Sequence, residues 1–182
     1  MRLRPATLAD APLLRRWDEA PHVIASSGDD DEWDWDAELA APLAGLEMLM
    51  AEDDGRPVGF LQILDPHRDP TRYWGDMAPG FRAIDIWIGE ADRLGRGLGT
   101  TMMRMAIARC FAAPDVTAIL IDPLAANTRA IRFYRRLGFH PVGPRRFGAD
   151  DCLVLRLDRP AAKIPPARSG RRRCRCAAPP DR

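Results

Sequence analysis

The chain has 182 residues, 46% hydrophobic and 29% charged, which suits one globular domain with one core rather than two. Its formal charge of +1 conceals a division: residues 1–158 carry 19 arginines against 25 carboxylates, a net of −6, while the last 24 residues carry 8 basic groups against one aspartate, a net of +7. No apolar run reaches the ~18 residues of a membrane helix, and Met1-Arg2-Leu3-Arg4 lacks a signal peptide's apolar stretch, so the expectation is a cytoplasmic protein with no membrane partner.

Residues 3–7 read as a strand, and Thr7-Leu8-Ala9-Asp10 opens a helix with the apolar series Ala11, Leu13, Leu14 and Trp17. Residues 25–36 embed Trp33 and Trp35 among carboxylates and are expected to form an exposed loop, with a helix following over 37–43. Residues 47–51 and 57–64 are apolar runs separated around Asp54-Gly55, a hairpin signal. Residues 65–80, with Pro66, Pro70, Gly75, Pro79 and Gly80, form a loop; residues 82–88 resume as a strand that sets Asp85 among apolar neighbours.

A glycine-rich turn, Leu94-Gly95-Arg96-Gly97-Leu98-Gly99-Thr100-Thr101, then feeds a helix that stops near Pro114. Residues 116–121 form a buried strand, 127–137 a helix closed by Gly138, and 139–142 and 152–157 the last two strands. This alternation implies an α/β or α+β layered domain. From Arg159 the composition turns to Pro, Ala and Arg, so residues 159–182 are expected to be a disordered basic tail. Cys110 and Cys152 lie singly in apolar runs, as buried thiols do, and Cys174 and Cys176 in the tail have no partners that would make a disulfide framework. His22, His67 and His140 complete no metal set.

The glycine-rich turn carries the strongest local chemistry. Glycines let the backbone approach a ligand, and free N–H groups in the first helical turn attract an anion, so a phosphate site is the physical reading. The Gly-Lys-Ser/Thr ending of a Walker A loop is missing, and no dinucleotide-binding unit surrounds the turn. A helix start that needs glycine only to turn is the plain alternative.

Downstream stands a second block, Asp122-Pro123 followed by Asn127-Thr128-Arg129-Ala130-Ile131-Arg132-Phe133-Tyr134-Arg135-Arg136-Leu137-Gly138-Phe139. Together the two blocks resemble the GNAT superfamily of acetyl-CoA-dependent N-acetyltransferases. With Phe81-Arg82-Ala83-Ile84-Asp85 and Pro114-Asp115-Val116 they look most like the bacterial aminoglycoside 6'-N-acetyltransferases. The resemblance covers residues 1–158 and implies a GNAT fold: a central, mostly antiparallel mixed sheet of six to seven strands, about four flanking helices, and coenzyme A in a splay between two central strands.

It further implies that backbone N–H groups of Arg96, Gly97, Leu98, Gly99, Thr100 and Thr101 hold the coenzyme A pyrophosphate. Arg96 and Arg93 would add charge, and Ile86, Ile88, Asn127, Ala130 and Phe133 would line the same groove. Leu94 stands where the family pattern has Gln or Arg. Tyr134 matches the tyrosine that protonates the leaving thiolate, or it is a core aromatic in helical register with Ala130 and Leu137. Asp85 matches a strand aspartate that acts as general base or ammonium ligand, or it is a structural carboxylate bonded nearby. Asp122 aligns with an acidic acceptor-site position, or it caps the turn before Asn127.

Gln62 and Trp74 occupy acceptor-contacting positions, or pack; Asp150 or Asp151 in the last hairpin is a further candidate. The tryptophan-rich patch that the family carries after the first helix is replaced by Ala25-Ser26-Ser27-Gly28. The acidic body favours a small polycationic amine acceptor: an aminoglycoside, or alternatively a polyamine, a protein lysine or a siderophore precursor. A nucleic-acid partner for the arginine run is disfavoured, since the body would repel it and no aromatics interleave the run. Monomer and homodimer both remain open.

Overall fold

Alternating apolar side chains on the central strands build different cores on the two faces of one sheet. The computed structural model describes residues 1–26 and 33–161. Part of the acidic loop, Asp29 to Glu32 included, and the basic segment 162–182 lie outside the described residues. The strands are β1 (Arg2–Pro5), β2 (Leu46–Asp53), β3 (Arg56–Leu64), β4 (Phe81–Ile88), β5 (Ala118–Ile121), β6 (His140–Phe147) and β7 (Asp150–Asp158), in spatial order β1-β2-β3-β4-β5-β7-β6. Only β4 and β5 run parallel; the other neighbours are antiparallel. The helices are α1 (Ala11–Asp18), α2 (Pro21–Ile24), α3 (Trp35–Ala40), α4 (Leu98–Ala112) and α5 (Thr128–Arg136). The mixed sheet and the four main helices are as the resemblance implies, and α2 is a short addition.

One face of the sheet presents Leu49, Leu61, Ile63, Ile84, Ile119, Ile121 and Leu155 to α4 and α5, which contribute Met102, Met103, Ala106, Cys110 and Tyr134. The opposite face is covered in two separate patches. Met48, Met50 and Phe60 pack against Leu14 and Trp17 of α1 and Trp35 of α3, with Trp87 at the margin. Further along, Ala83, Leu120, Cys152 and Val154 pack against Trp74 of the 65–80 loop and Phe147 of β6. Gln62 and Asp85, paired across β3 and β4, fall between the two patches.

Three expectations change. Trp35 is fully buried rather than looped out, with Trp33 stacked on it at 5.0 Å, and its indole donates to Asp18. Helix α3 starts at Trp35, ahead of the expected position, because the Asp34 carboxylate accepts from the Ala37 N–H and caps it. The last hairpin is longer than expected: β6 runs to Phe147 and pairs with β7 as far as Asp150. Pro141 and Pro144 are tolerated because β6 is an edge strand. Arg159 still belongs to the folded body, donating to the carbonyls of Val116, Phe111 and Ala113 at the end of α4.

Helix α1 meets the sheet at Gly89, where an added Cβ would lie 1.8 Å from the Trp17 ring. Trp17 is 1% exposed and has no room to withdraw. Gly89→Ala is therefore expected to destabilise the protein by about 2–3 kcal/mol, the cost of overpacking a filled core, read as a lower urea midpoint at unchanged m-value.

Candidate active site

The site originates in a register. Strands β4 and β5 pair over Phe81↔Ala118, Arg82↔Ile119 and Ala83↔Leu120, and then part. Strand β4 continues to Ile88 against β3 only, so its other edge is open from Ile84 onward. Asp85 lies two residues beyond Ala83 and Asp122 two beyond Leu120, so the parallel register sets both carboxylates on the same face at the point of divergence.

On the α4–α5 side the splay opens into a cleft of about 580 Å³ lined by Ile86, Ile88, Gly97, Leu98, Gly99, Thr100, Asn127, Ala130, Phe133 and Tyr134. Gly97 (φ +80°) precedes α4, a conformation that side chains disfavour, and no side chain caps the helix. The first N–H groups of a fifteen-residue helix thus face the cleft mouth, an anion-attracting arrangement. Asn127 caps α5, its Oδ1 accepting from the Ala130 N–H at 3.0 Å, while the residue also borders the cleft.

Several assignments are corrected by this geometry. Thr101 gives its N–H to the Gly97 carbonyl at 3.2 Å, so that N–H is not free for a ligand. Arg93 turns to Asp53 and Asp92, at 3.9 and 3.8 Å, rather than into the cleft. Arg96, by contrast, stays exposed in the turn between the cleft-lining Gly95 and Gly97, and Arg129 and Arg136 of α5 line the cleft as well. Those two were legible in the sequence, since they fall four before and three after Phe133 and so share its helical stripe. His22 had no such signal: its Nε2 meets the Ile88 carbonyl at 2.8 Å on the open β4 edge.

On the opposite side, Asp85 stands at the floor of the gap between the two apolar patches. Water reaches its side chain, yet protein surrounds it, and desolvation raises its carboxyl above the usual carboxylate range. Gln62, 8% exposed, donates to Asp85 Oδ2 at 2.8 Å and opposes that rise. Asp122 is pushed up to about 7, first by burial and then by the charge of Asp85, with hydrogen bonding from Tyr73 and the Arg145 charge pulling it back. It does not cap the turn before Asn127; it accepts from the Tyr73 hydroxyl at 2.8 Å.

Tyr134, 9% exposed, sits under the splay, where burial and then Asp85 and Asp122 raise its phenol so that it holds its proton. Cys152 is pushed up to about 11 by burial and then by the charges of Asp122, Asp150, Asp151 and Asp85, while Asp151 itself pairs with Arg146 at 3.7 Å. Trp74 is the remaining correction. At 4% exposure it packs under Tyr73 and Phe147, so the ring that reaches the gap is its neighbour Tyr73.

An acetyltransferase (GNAT) domain model matches residues 6–147. The chain belongs to the GNAT acetyltransferases. It is 31% identical over 157 residues to the aminoglycoside N(6')-acetyltransferase type 1 of Klebsiella pneumoniae, across 78% of this chain and 74% of the relative. It is also 29% identical to the lysine N-acyltransferase MbtK of Mycobacterium tuberculosis, across 79% and 73%. A crystal structure of aminoglycoside acetyltransferase AAC(6')-Ib in complex with coenzyme A and kanamycin superposes with a TM-score of 0.78 at 29% identity, covering 86% of this chain and 94% of that one. This GNAT protein is an acetyl-CoA-dependent N-acetyltransferase.

The chain's own features fit that cosubstrate. An uncapped helix N-terminus suits a pyrophosphate, an open strand edge suits amide groups, and a buried phenol stands where the cleft meets the carboxylates. Among the described residues no helix is long and apolar enough to cross a membrane.

The raised Asp122 carboxyl has a stability consequence of defined sign. Its folded pKa of about 7 lies above the ordinary value of 3.8, so the fold favours the protonated form, and the cost of holding the group there builds as pH rises from about 4 and is complete above about 7. Asp122→Asn keeps an oxygen to accept from Tyr73 and carries no charge. It is expected to raise the melting temperature by about 2–4 °C at a pH of about 8.5, with the gain shrinking as pH falls below about 7 and vanishing at about pH 4, in paired thermal scans.

Proposed function

We propose that this acetyltransferase modifies the 6'-amine of an aminoglycoside by direct attack within a ternary complex. The observation that carries the reading is the meeting of Asp85 and Asp122, each held by one neutral donor, Gln62 and Tyr73, at the end of the cleft where Tyr134 lies. Similarity to the Klebsiella enzyme and to the kanamycin-bound structure supports the choice of acceptor. Acetyl-CoA is abundant in the cytosol, which supports a cytoplasmic location.

In this reading Leu98, Gly99 and Thr100 offer their backbone N–H groups to the pyrophosphate, with Arg129 and Arg136 supplying charge beside them. Ile86, Ile88, Ala130 and Phe133 line the pantetheine arm and exclude water from it, and Asn127 borders the same groove. Acetyl-CoA supplies an acyl thioester open to attack by an amine. Asp85 and Asp122 draw the acceptor's ammonium into the gap, and its positive charge drives both carboxyls toward their ionised forms. Asp85 then takes the proton that the amine must lose, directly or through one water. Tyr134 holds its proton until the thiolate leaves, and delivers it there. Asp150, in the hairpin beyond, adds negative field for further amino groups of the acceptor, whereas Asp151 is paired with Arg146.

Release of free coenzyme A should be confined to aminoglycosides that carry a 6'-amine, with spermidine and a lysine peptide left unmodified. Turnover of spermidine alone would replace the aminoglycoside reading with a polyamine one. Tyr134→Phe and Asp85→Asn should each lower kcat by about 100-fold, the usual worth of a positioned acid or base, at near-constant KM for acetyl-CoA. Because Asp122 must be ionised to hold an ammonium, kcat/KM for the acceptor should fall as pH drops through about 7.

A further inference from the structure

We propose that Tyr73 is a positioning residue for acetyl transfer, whose hydroxyl aims Asp122 at the ammonium group of the acceptor. The inference rests on the reading of Asp85 and Asp122 as the acceptor site, and adds to it a residue outside both sequence blocks that carry the family resemblance.

Tyr73 lies in the 65–80 loop, which contains neither helix nor strand, yet its position is tightly determined. On its N-terminal side the buried carboxylate of Asp69, 6% exposed, accepts from the Thr71 N–H at 2.9 Å and the Tyr73 N–H at 3.0 Å. On its C-terminal side Arg145 of β6 donates to the carbonyls of Trp74 at 3.0 Å and Tyr73 at 3.4 Å. The Arg145 guanidinium lies 4.5 Å from the centre of the Phe147 ring, and the Tyr73 ring stacks on that same ring at 4.5 Å with planes 9° apart. Two charged side chains and an aromatic stack thus fix a side chain that remains 48% exposed.

What this clamp delivers is one hydroxyl. Tyr73 donates to Asp122 Oδ2 at 2.8 Å, as Gln62 Nε2 does to Asp85 Oδ2 at 2.8 Å. In each carboxylate one oxygen is thereby engaged and Oδ1 is left for a ligand, with no side-chain donor on it among the described residues. A carboxylate with a single charge-assisted bond has its plane set before the acceptor arrives, so less ordering remains to be done on binding.

The groups that act on Asp122 or feel its charge are Asp85 from β4, Tyr73 from the loop, Arg145 from β6, Cys152 from β7 and Tyr134 from α5. Of the neutral side chains, Tyr73 is the one bonded to it, and its hydrogen bond, like that of the Asp122 backbone, favours the ionised form. Loss of the hydroxyl should therefore both loosen the aim of Asp122 and make it harder to ionise.

Tyr73→Phe retains the ring, its stack on Phe147 and both backbone clamps, so a merely structural role would leave activity unchanged. With kanamycin and acetyl-CoA as substrates, we expect kcat/KM for kanamycin to fall about tenfold and the acid limb of its pH profile to move upward by about half a unit or more. The KM for acetyl-CoA should not move. In an Asp122→Asn background the same substitution should have much less effect on kcat/KM, because the two residues act as one unit. The proposal is overturned if Tyr73→Phe matches the wild type in kcat/KM and pH profile, or if its effect is equally large once Asp122 is replaced. A wild type that acetylates spermidine but no aminoglycoside would overturn the aminoglycoside reading alone. The same comparison, run on spermidine, would then decide the role of Tyr73.

Discussion

Three residue pairs of parallel strand, and then none, is the constraint on which this molecule depends. Because β4 and β5 pair only from Phe81 to Ala83 and from Ala118 to Leu120, a gap opens through the middle of an otherwise continuous sheet. Backbone N–H and C=O groups along the open β4 edge need partners, and a buried edge with none would be costly. His22 meets the need at one carbonyl, and the remaining edge borders the cleft. The splay is thus a deficiency in the hydrogen-bonding of the sheet, and an amide-bearing chain laid along it would supply the partners.

The same divergence joins the two sides of the sheet. Tyr134 belongs to the core beneath α4 and α5, whereas Asp85 and Asp122 stand on the opposite face, yet the phenol feels the charge of both carboxylates. In the proposed mechanism, proton acceptor and proton donor therefore stand on opposite sides of the reacting bond. That placement follows from side-chain alternation: Ile84, Ile86 and Ile88 face the cleft side while Ala83, Asp85 and Trp87 face the other.

The gap at Asp85 and Asp122 is held in an electrostatically unfavourable state. Two carboxyls in register, both raised by burial, repel one another, and the nearby cation Arg145 is turned to backbone carbonyls and an aromatic ring rather than to either carboxylate. A site of this kind is relieved by a cation and gains affinity from that relief. The strong structural scaffolding lies elsewhere, in the Arg4, Asp10 and Glu52 network at the opposite end of the sheet, where Arg4 bonds both carboxylates at 2.6 Å. Stability and binding are thus served by separate groups of charges.

Local patterning was sufficient for most of the elements. The Asp54-Gly55 hairpin, the glycine-rich entry to α4 and the amphipathic stripe of α5 are each written within a dozen residues, and the motif pair 95–101 and 127–139 carried the family and cosubstrate. Helix α3 and the long β6 were misjudged because tertiary contacts overrode local composition. Trp35, set among carboxylates in the chain, is buried against Phe60, and β6 gains its length from pairing with β7. Asp85 and Asp122 could each be named from sequence, but their facing one another depends on a register between strands more than thirty residues apart. Tyr73 had no signal at all, since its part comes from contacts to Asp122, Arg145 and Phe147, between 49 and 74 positions away. Short-range periodicity determined the parts and their chemistry; which side chains share one volume was decided only by the packing of the sheet, because hydrogen-bond register and burial act across the chain rather than along it.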